Sequence, residues 1–228
     1  MEKNSTPERS IPMITYLLFD LDGTLTNPQE GITKCVQHAL RAFGIDEPDL
    51  EKLIPFIGPP LIQSFMDFYH MREDEARKAV TVYRERFGTV GLFENFPYPG
   101  IAAMLENLKA QGKTLAVASS KPTVYVRRIL EKFELAQYFD VIEGSNLDGT
   151  RVDKKEVIAE VLTRLDNPSA DDLLMIGDRK FDVIGAKEMG FGCVGVRFGF
   201  AAPNELEESG AVYIADTVDD LHRYLLSV

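Results

Sequence analysis

Three things are scarce in this 228-residue sequence, and each scarcity removes a class of protein. There are two cysteines, Cys35 and Cys193, far apart and without a CxxC spacing. Neither a disulfide framework nor a thiol-rich metal site is built from them, and they read as two reduced, packed thiols. No apolar run approaches the roughly 20 residues that cross a bilayer, so no membrane span is expected. Positive charge is also short: 25 Lys and Arg against 36 Asp and Glu leave a formal charge of −11. A chain this acidic lacks the clustered cations that grip a nucleic-acid backbone, although a small anion held by a metal is compatible with it. The three histidines, His38, His70 and His222, fall at no ligand spacing. No internal repeat or low-complexity segment is visible. Residues 1–13 are polar and lack the apolar stretch of a signal peptide, so they read as a loose leader outside the fold, and the expected location is the cytoplasm.

What is present is a globular composition, with 45% hydrophobic residues and enough length for one large domain or a domain with an insertion. Residues 14–19 form an apolar run too short and too bulky for a helix, hence a buried strand of a covered parallel sheet. Asp20 ends the run, and Leu21-Asp22-Gly23-Thr24 follows. A carboxylate at the C-terminal end of a buried strand lies where open α/β sheets place their ligands. Two acids at i and i+2 of a loosening strand reach one substrate together, one to attack and one to handle protons. As a lone tetrapeptide, Asp-Leu-Asp-Gly is equally an ordinary turn.

Downstream, residues 32–43, 48–57, 60–69 and 73–87 carry helical spacing with no strand between them. About seventy helical residues after a first strand far exceed the dozen or more that a crossover needs, which predicts a separate helical subdomain over 28–95. Its hinges fall at 26–31 and 95–99, and the core takes 14–27 and 96–228. From residue 101 onward helix and strand alternate. Strands are expected at 115–118, 139–142, 173–176, 193–196 and weakly at 212–214, with helices at 101–111, 123–133, 154–165, 182–189 and 218–226. The expected class is α/β, a doubly wound, Rossmann-like parallel sheet in the order 3-2-1-4-5 with an inserted helical cap.

Three further groups sit where strands end or helices begin. Ser119 and Ser120 close the second strand, where hydroxyls and amides hold a phosphate or simply cap a helix. Lys154 and Lys155 open a helix, where the dipole disfavours a cation unless an anion meets it; a solvated face is the plain alternative. Asp178 and Asp182 stand four apart in Gly-Asp-x-x-x-Asp, on one side of a first turn if the helix begins near Asp178. An acid brought next to Asp20 builds up repulsion that calls for a cation, and oxygen-only ligands suit Mg²⁺.

Taken in order, Asp20-Leu21-Asp22-Gly23-Thr24-Leu25, Ser119 after Ala-Val-Ala, Lys154, and Gly177-Asp178-x-x-x-Asp182 resemble the four motifs of the haloacid dehalogenase superfamily over nearly the whole chain. The resemblance implies a Mg²⁺-dependent phosphomonoesterase. Asp20 would be the nucleophile that forms an aspartyl-phosphate, and Asp22 the general acid and base. Ser119 and Lys154 would bind the phosphoryl oxygens. Mg²⁺ would be held by Asp20, Asp178 and the main-chain oxygen of Asp22, with Asp182 supporting it from behind. The second Asp argues against a dehalogenase. The helical insertion looks like the cap of the phosphoglycolate phosphatase-like group, and Ile57-Gly58-Pro59-Pro60-Leu61 resembles its substrate-facing loop. Gly58, Ser120 and Arg84 are thereby marked as substrate-binding, with Tyr83 and Arg86 nearby on the same helix. Residues 144–154 are similar to the bacterial 5′-nucleotidase-like branch. They depart from the Lys-Pro-x-Pro form of phosphoglycolate phosphatases, which leaves Lys155 as a second candidate for the lysine. The implied substrate is a small phosphorylated metabolite, a nucleoside 5′-monophosphate, with phosphoglycolate hydrolysis or a sugar-phosphate mutase reaction as alternatives. The expected partners include no polymeric nucleic acid and no membrane, and the expected state is a monomer or weak homodimer.

Overall fold

The apolar runs pair into one parallel sheet, and the computed structural model describes them within residues 14–228; the expected leader lies outside the described residues. The chain enters as β1 (Tyr16–Phe19), turns, and forms the two-residue strand β2 (Thr26–Asn27). Helices α1 (Gln29–Ala42), α2 (Leu61–Tyr69) and α3 (Glu73–Phe87) follow, and the chain returns through β3 (Phe96–Pro97), which pairs antiparallel with β2. Then come α4 (Ile101–Ala110), β4 (Thr114–Pro122), α5 (Thr123–Lys132), β5 (Val141–Ser145), α6 (Lys154–Arg164) and β6 (Leu173–Gly177). The chain closes with α7 (Lys180–Glu188), β7 (Gly192–Val196), the short α8 (Glu205–Ser209), β8 (Tyr213–Ala215) and α9 (Val218–Ser227).

The sheet runs β5-β4-β1-β6-β7-β8, all parallel. This is the expected order of five strands, with the weak 212–214 segment joining as a sixth at the edge. Alternation along the strands sorts the core into two faces. Leu17 and Phe19 pack with α4, α5 and α9, while Leu18 and Met175 pack with α6 and α7. Both faces are covered, so the strands read as unbroken apolar runs. Fully burying one such side chain contributes about 1.5–3 kcal/mol, so a charge at Leu17 or Leu18 would remove a large share of a stability of about 5–15 kcal/mol. Phe19 lies opposite Val117 on β4 and Ile176 on β6. The three central strands therefore run out at nearly the same level, and the residues just beyond them meet at one edge.

Four details depart from the sequence pattern. The 48–57 segment is a 3₁₀ helix over Leu50–Phe56 because Pro55 lies inside it and supplies no amide for an α-helical ladder. The strand expected at 139–142 runs over Val141–Ser145 and includes Glu143, whose charge hid it; that carboxylate is buried and paired with Arg151 and Arg164. The helix after Gly177 begins at Lys180, so Asp178 precedes it instead of opening it. Helix α8 was not expected, since five residues with one buried apolar side chain, Leu206, leave no periodicity to read. Among the described residues no helix is long and apolar enough to cross a membrane.

Candidate active site

The site begins where β1 stops. The amide of Asp20 donates to Ile176 O at 2.9 Å, extending the β1–β6 ladder by one step and fixing the direction of the Asp20 side chain. The chain then winds tightly about Leu21 O, which accepts from the amides of Leu25 and Thr26 at 2.9 and 3.0 Å. Gly23 turns the corner with φ +83°, in the left-handed region. A Cβ there would lie 2.0 Å from Asp178 Oδ2, so this position needs glycine on two counts.

Asp20, Asp178 and Asp182 converge. All three are buried, and one oxygen from each lies within 4.8 Å of the others. The sequence argument placed the last two acids on one helical turn; the structure brings them together differently. Asp178 stands on the strand end, its Oδ2 accepting from Phe200 N at 2.8 Å, and Asp182 caps α7 by accepting from Arg179 N at 3.1 Å. Burial, reinforced by the neighbouring charges of Asp182 and Asp20, lifts the Asp178 carboxyl well above the usual range. Burial also raises Asp182, to about 6; Lys154 opposes the rise and Asp20 adds to it.

Lys154, at the start of α6, is the cation within this group. Its Nζ lies 3.0 Å from Asp20 Oδ1 and 2.7 Å from Asp182 Oδ1, and it donates to Ala118 O at 3.0 Å. Burial alone would lower its pKa, but the two carboxylates outweigh burial and raise it. Lys155 points elsewhere, toward Glu188 on the exposed side of α6. One ammonium among three buried carboxylates leaves negative charge in excess, and Asp178 Oδ1 is buried with no hydrogen-bond partner among the described residues. An all-oxygen set with an orphaned carboxylate oxygen fits a hard divalent cation such as Mg²⁺.

Asp22 turns away from the cluster toward Lys121, with Oδ1 2.7 Å from Nζ. Burial raises its pKa, and the lysine works against that rise. Ser119 is buried at the end of the regular β4 pairing and its Oγ accepts from Lys121 N at 3.3 Å; Ser120 lines the cavity in front of it. Gly58 lines the opposite wall with φ +105°. Arg84 also lines the cavity, but its guanidinium donates to Leu147 O at 2.8 Å, tying α3 to the loop after β5. Arg86, grouped with it in the sequence, is outside the cavity and forms a paired contact with Glu94.

Two residues escaped the sequence reading. Lys121 stands directly after Ser119-Ser120, and a lysine following a candidate phosphate-binding pair was the available signal. Arg179 lies inside Gly-Asp-x-x-x-Asp. It donates to Ile57 O at 2.6 Å and pairs with Glu205 at 2.9 Å, fastening the Gly58 loop to the core. The carboxylates border a cavity of about 450 Å³ lined by the apolar Phe56, Leu61, Val80, Tyr83, Phe87 and Tyr125 together with the polar Gln63, Arg84 and Asn146. Its floor carries Asp20, Asp22, Ser119 and Lys154. The site thus offers charge for an anionic group and apolar surface for whatever that group is attached to.

The chain is similar to known proteins over most of its length. The model of the haloacid dehalogenase-like hydrolase family matches residues 17–196. A 5′-nucleotidase of Pseudomonas aeruginosa is 51% identical over 190 residues, covering 83% of this chain and 86% of that protein. The tyrosine-protein kinase PtkA of Mycobacterium tuberculosis is 34% identical over 223 residues, 97% of this chain and 75% of the kinase. A solved structure of a predicted phosphatase from Clostridium acetobutylicum superposes with a TM-score of 0.91 at 48% identity, covering 95% of this chain and all of that one.

Proposed function

The chain belongs to the haloacid dehalogenase-like hydrolases and is a phosphoric monoester hydrolase of that family; within it, we propose a Mg²⁺-dependent hydrolase of nucleoside 5′-monophosphates. The observation that carries the proposal is the two-part cavity, with Asp20 beside Lys154 at the floor and an aromatic, aliphatic wall. A phosphate fits the floor and a nucleobase fits the wall, whereas glycolate leaves the wall unused. The similarity to the Pseudomonas 5′-nucleotidase supports the same choice.

In the proposed reaction an Asp20 carboxylate oxygen attacks phosphorus, and the bond from phosphorus to the leaving oxygen breaks as Asp22 gives that oxygen its proton. Water then attacks phosphorus, Asp22 takes the water proton, and the Asp20–phosphate bond breaks, releasing inorganic phosphate and restoring both acids. Lys154 and Ser119 bind the phosphoryl oxygens through the sequence. A Mg²⁺ held by Asp20, Asp178 and the Asp22 main-chain oxygen would supply charge stabilisation for the transferring phosphoryl group, with Asp182 orienting Lys154 and the metal set from behind. Residues 28–95 act as a cap that closes over the cavity, which restricts entry to small metabolites.

Two measurements test this. Quenched parent enzyme should carry phosphate on Asp20, and Asp20→Asn should abolish both that adduct and turnover. Values of kcat/KM for several nucleoside monophosphates should exceed those for phosphoglycolate and a hexose phosphate; a preference of about 1.4 kcal/mol, tenfold, for phosphoglycolate would overturn the substrate assignment. Because one relative is named a tyrosine kinase, phosphate release should also be compared with transfer to a tyrosine peptide from ATP; transfer exceeding release would move the reading from hydrolysis to phosphotransfer.

A further inference from the structure

Lys121 is unused by the reaction above, yet its side chain is buried and paired with a carboxylate of the site. Its Nζ donates to Asp22 Oδ1 at 2.7 Å, and its side chain is 7% exposed. The same nitrogen lies 4.9 Å from the centre of the Phe87 ring. Phe87 ends α3 and is itself stacked on Tyr83 and set edge-on to Tyr125, with ring centroids 5.2 and 5.3 Å away. The backbone of Lys121 lies where the β4–β5 register shifts, between Ser119, paired with Gly144, and Pro122, paired with Ser145. An ammonium held between a carboxylate and an aromatic ring and shielded from water has little freedom, and its bond to the carboxylate is weakly screened.

This geometry separates the two oxygens of Asp22. Oδ1 is anchored by Lys121, while Oδ2 has no hydrogen-bond partner among the described residues and belongs to a side chain that lines the cavity. We propose that Lys121 is a positioning residue for Asp22: it pins Oδ1 so that Oδ2 alone faces the scissile bond and carries the proton. The inference rests on the phosphatase reading above, with Asp22 as its acid and base. The proton moves from Oδ2 to the leaving oxygen as that oxygen separates from phosphorus, and it returns to Oδ2 from the attacking water. Lys121 itself gives up no proton. Its contact with Phe87 makes the arrangement depend on the helical insertion being seated, so Asp22 is held in place when the cavity is covered.

A positioning role and a substrate-binding role predict different patterns across leaving groups. Adenosine 5′-monophosphate and phosphoglycolate release alkoxides that need a proton, whereas 4-nitrophenyl phosphate releases a stable phenolate that does not. In Lys121→Met, the single-turnover rate of phosphoenzyme formation from the two alkyl esters should fall about 30- to 100-fold, a part of the usual contribution of general acid–base catalysis. That from 4-nitrophenyl phosphate should fall less than about threefold, with half-saturation nearly unchanged, as expected when only a transition-state interaction is lost, while hydrolysis of the shared phosphoenzyme slows equally whichever ester formed it. In an Asp22→Asn background, Lys121→Met should cost less than about twofold more, because the group it positions is gone. Equal losses in phosphoenzyme formation from all three esters, a weaker half-saturation common to all, or a full additional loss in the Asp22→Asn background would overturn the proposal. Lys121→Gln, neutral and of similar length with a donor at its end, is to be carried through the same comparison and decides the matter if the Met variant fails to fold. The controls separate the two readings: absence of phosphate on Asp20 in the parent, or an Asp22→Asn variant without the leaving-group pattern, counts against the proposed function instead of against Lys121.

Discussion

Replacing Asp178 with Asn tests the cation reading without relying on turnover, because the structure sets the sign of two stability changes in advance. Asp178 is 1% exposed, and its ligand oxygen lies within 4.8 Å of those of Asp20 and Asp182. Two like charges at that separation, 4.8 Å, repel by about 3.5 kcal/mol at an effective dielectric near 20. Asp178 faces two such neighbours, while Lys154, engaged with Asp20 and Asp182, offsets part of the total. Asn keeps the shape and can still accept from Phe200 N, but carries no charge. Metal-free Asp178→Asn should therefore be more stable than the parent by about 1–3 kcal/mol, a melting point about 2–10 °C higher for a chain of this size. Mg²⁺ at about 100 times its Kd should raise the parent by about 2.7 kcal/mol and the variant far less, closing or reversing the gap between them while the variant stays inactive. Thermal melts in EDTA and in Mg²⁺ read both effects. A variant that melts below the parent in EDTA, or an equal Mg²⁺ shift in both proteins, would refute the reasoning.

Gly23→Ala should both destabilise the protein by about 1–3 kcal/mol and lower kcat, since the added Cβ would meet Asp178 Oδ2 at 2.0 Å; wild-type turnover in that variant would show that the turn is looser than it looks. Arg179→Met should cost about 2–4 kcal/mol, because Arg179 and Glu205 are both largely buried and Ile57 O loses its donor. The pH dependence has a defined sign. Burial alone would raise Glu205, but Arg179 and the amides of Lys180 and Ala202 outweigh it and hold it below its ordinary value of 4.5. Its ionised form thus contributes stability above that value and loses it as pH falls through the lowered folded value. The gap between parent and Arg179→Met should be widest near neutral pH and narrow below about pH 4; urea titrations across pH measure it, and a gap that widens in acid would reject the pairing.

Much of this molecule was legible in the sequence for a single physical reason: a sheet covered on both faces has apolar strands, and ligand chemistry gathers where those runs stop. That logic places Asp20, Ser119 and Asp178 at successive strand ends, and the register of β1, β4 and β6 then brings them to one level. Periodicity says which face is buried, however, and nothing about where a long polar side chain ends. Lys121 finds Asp22 across 99 positions, Arg84 finds Leu147 across 63, and Arg179 finds Ile57 across 122. Glu143 hid a strand for the converse reason, since its cost of burial is met by arginines on three other segments.

The acidic cluster shows how a correct pairing came from an inexact geometry. Asp178 and Asp182 were expected to share a helical turn, but the helix starts at Lys180. What brings them together is the shape of the backbone. A Cβ at Gly177 would lie 2.2 Å from Asp182 Cγ, and one at Gly199 would lie 2.3 Å from Asp178 Cβ, so the main chain passes close behind both acids at positions where only glycine fits. Asp178 and Asp182 are therefore held by main-chain hydrogen bonds and close-packed turns, and Asp20 by its strand end and Lys154, against their mutual repulsion. Such a site is organised before a ligand arrives, which is the condition for charge placed in it to act fully on a transition state. It also means that an isosteric Asp-to-Asn exchange alters charge while leaving the framework in place, so its effects on stability and on turnover can be read separately.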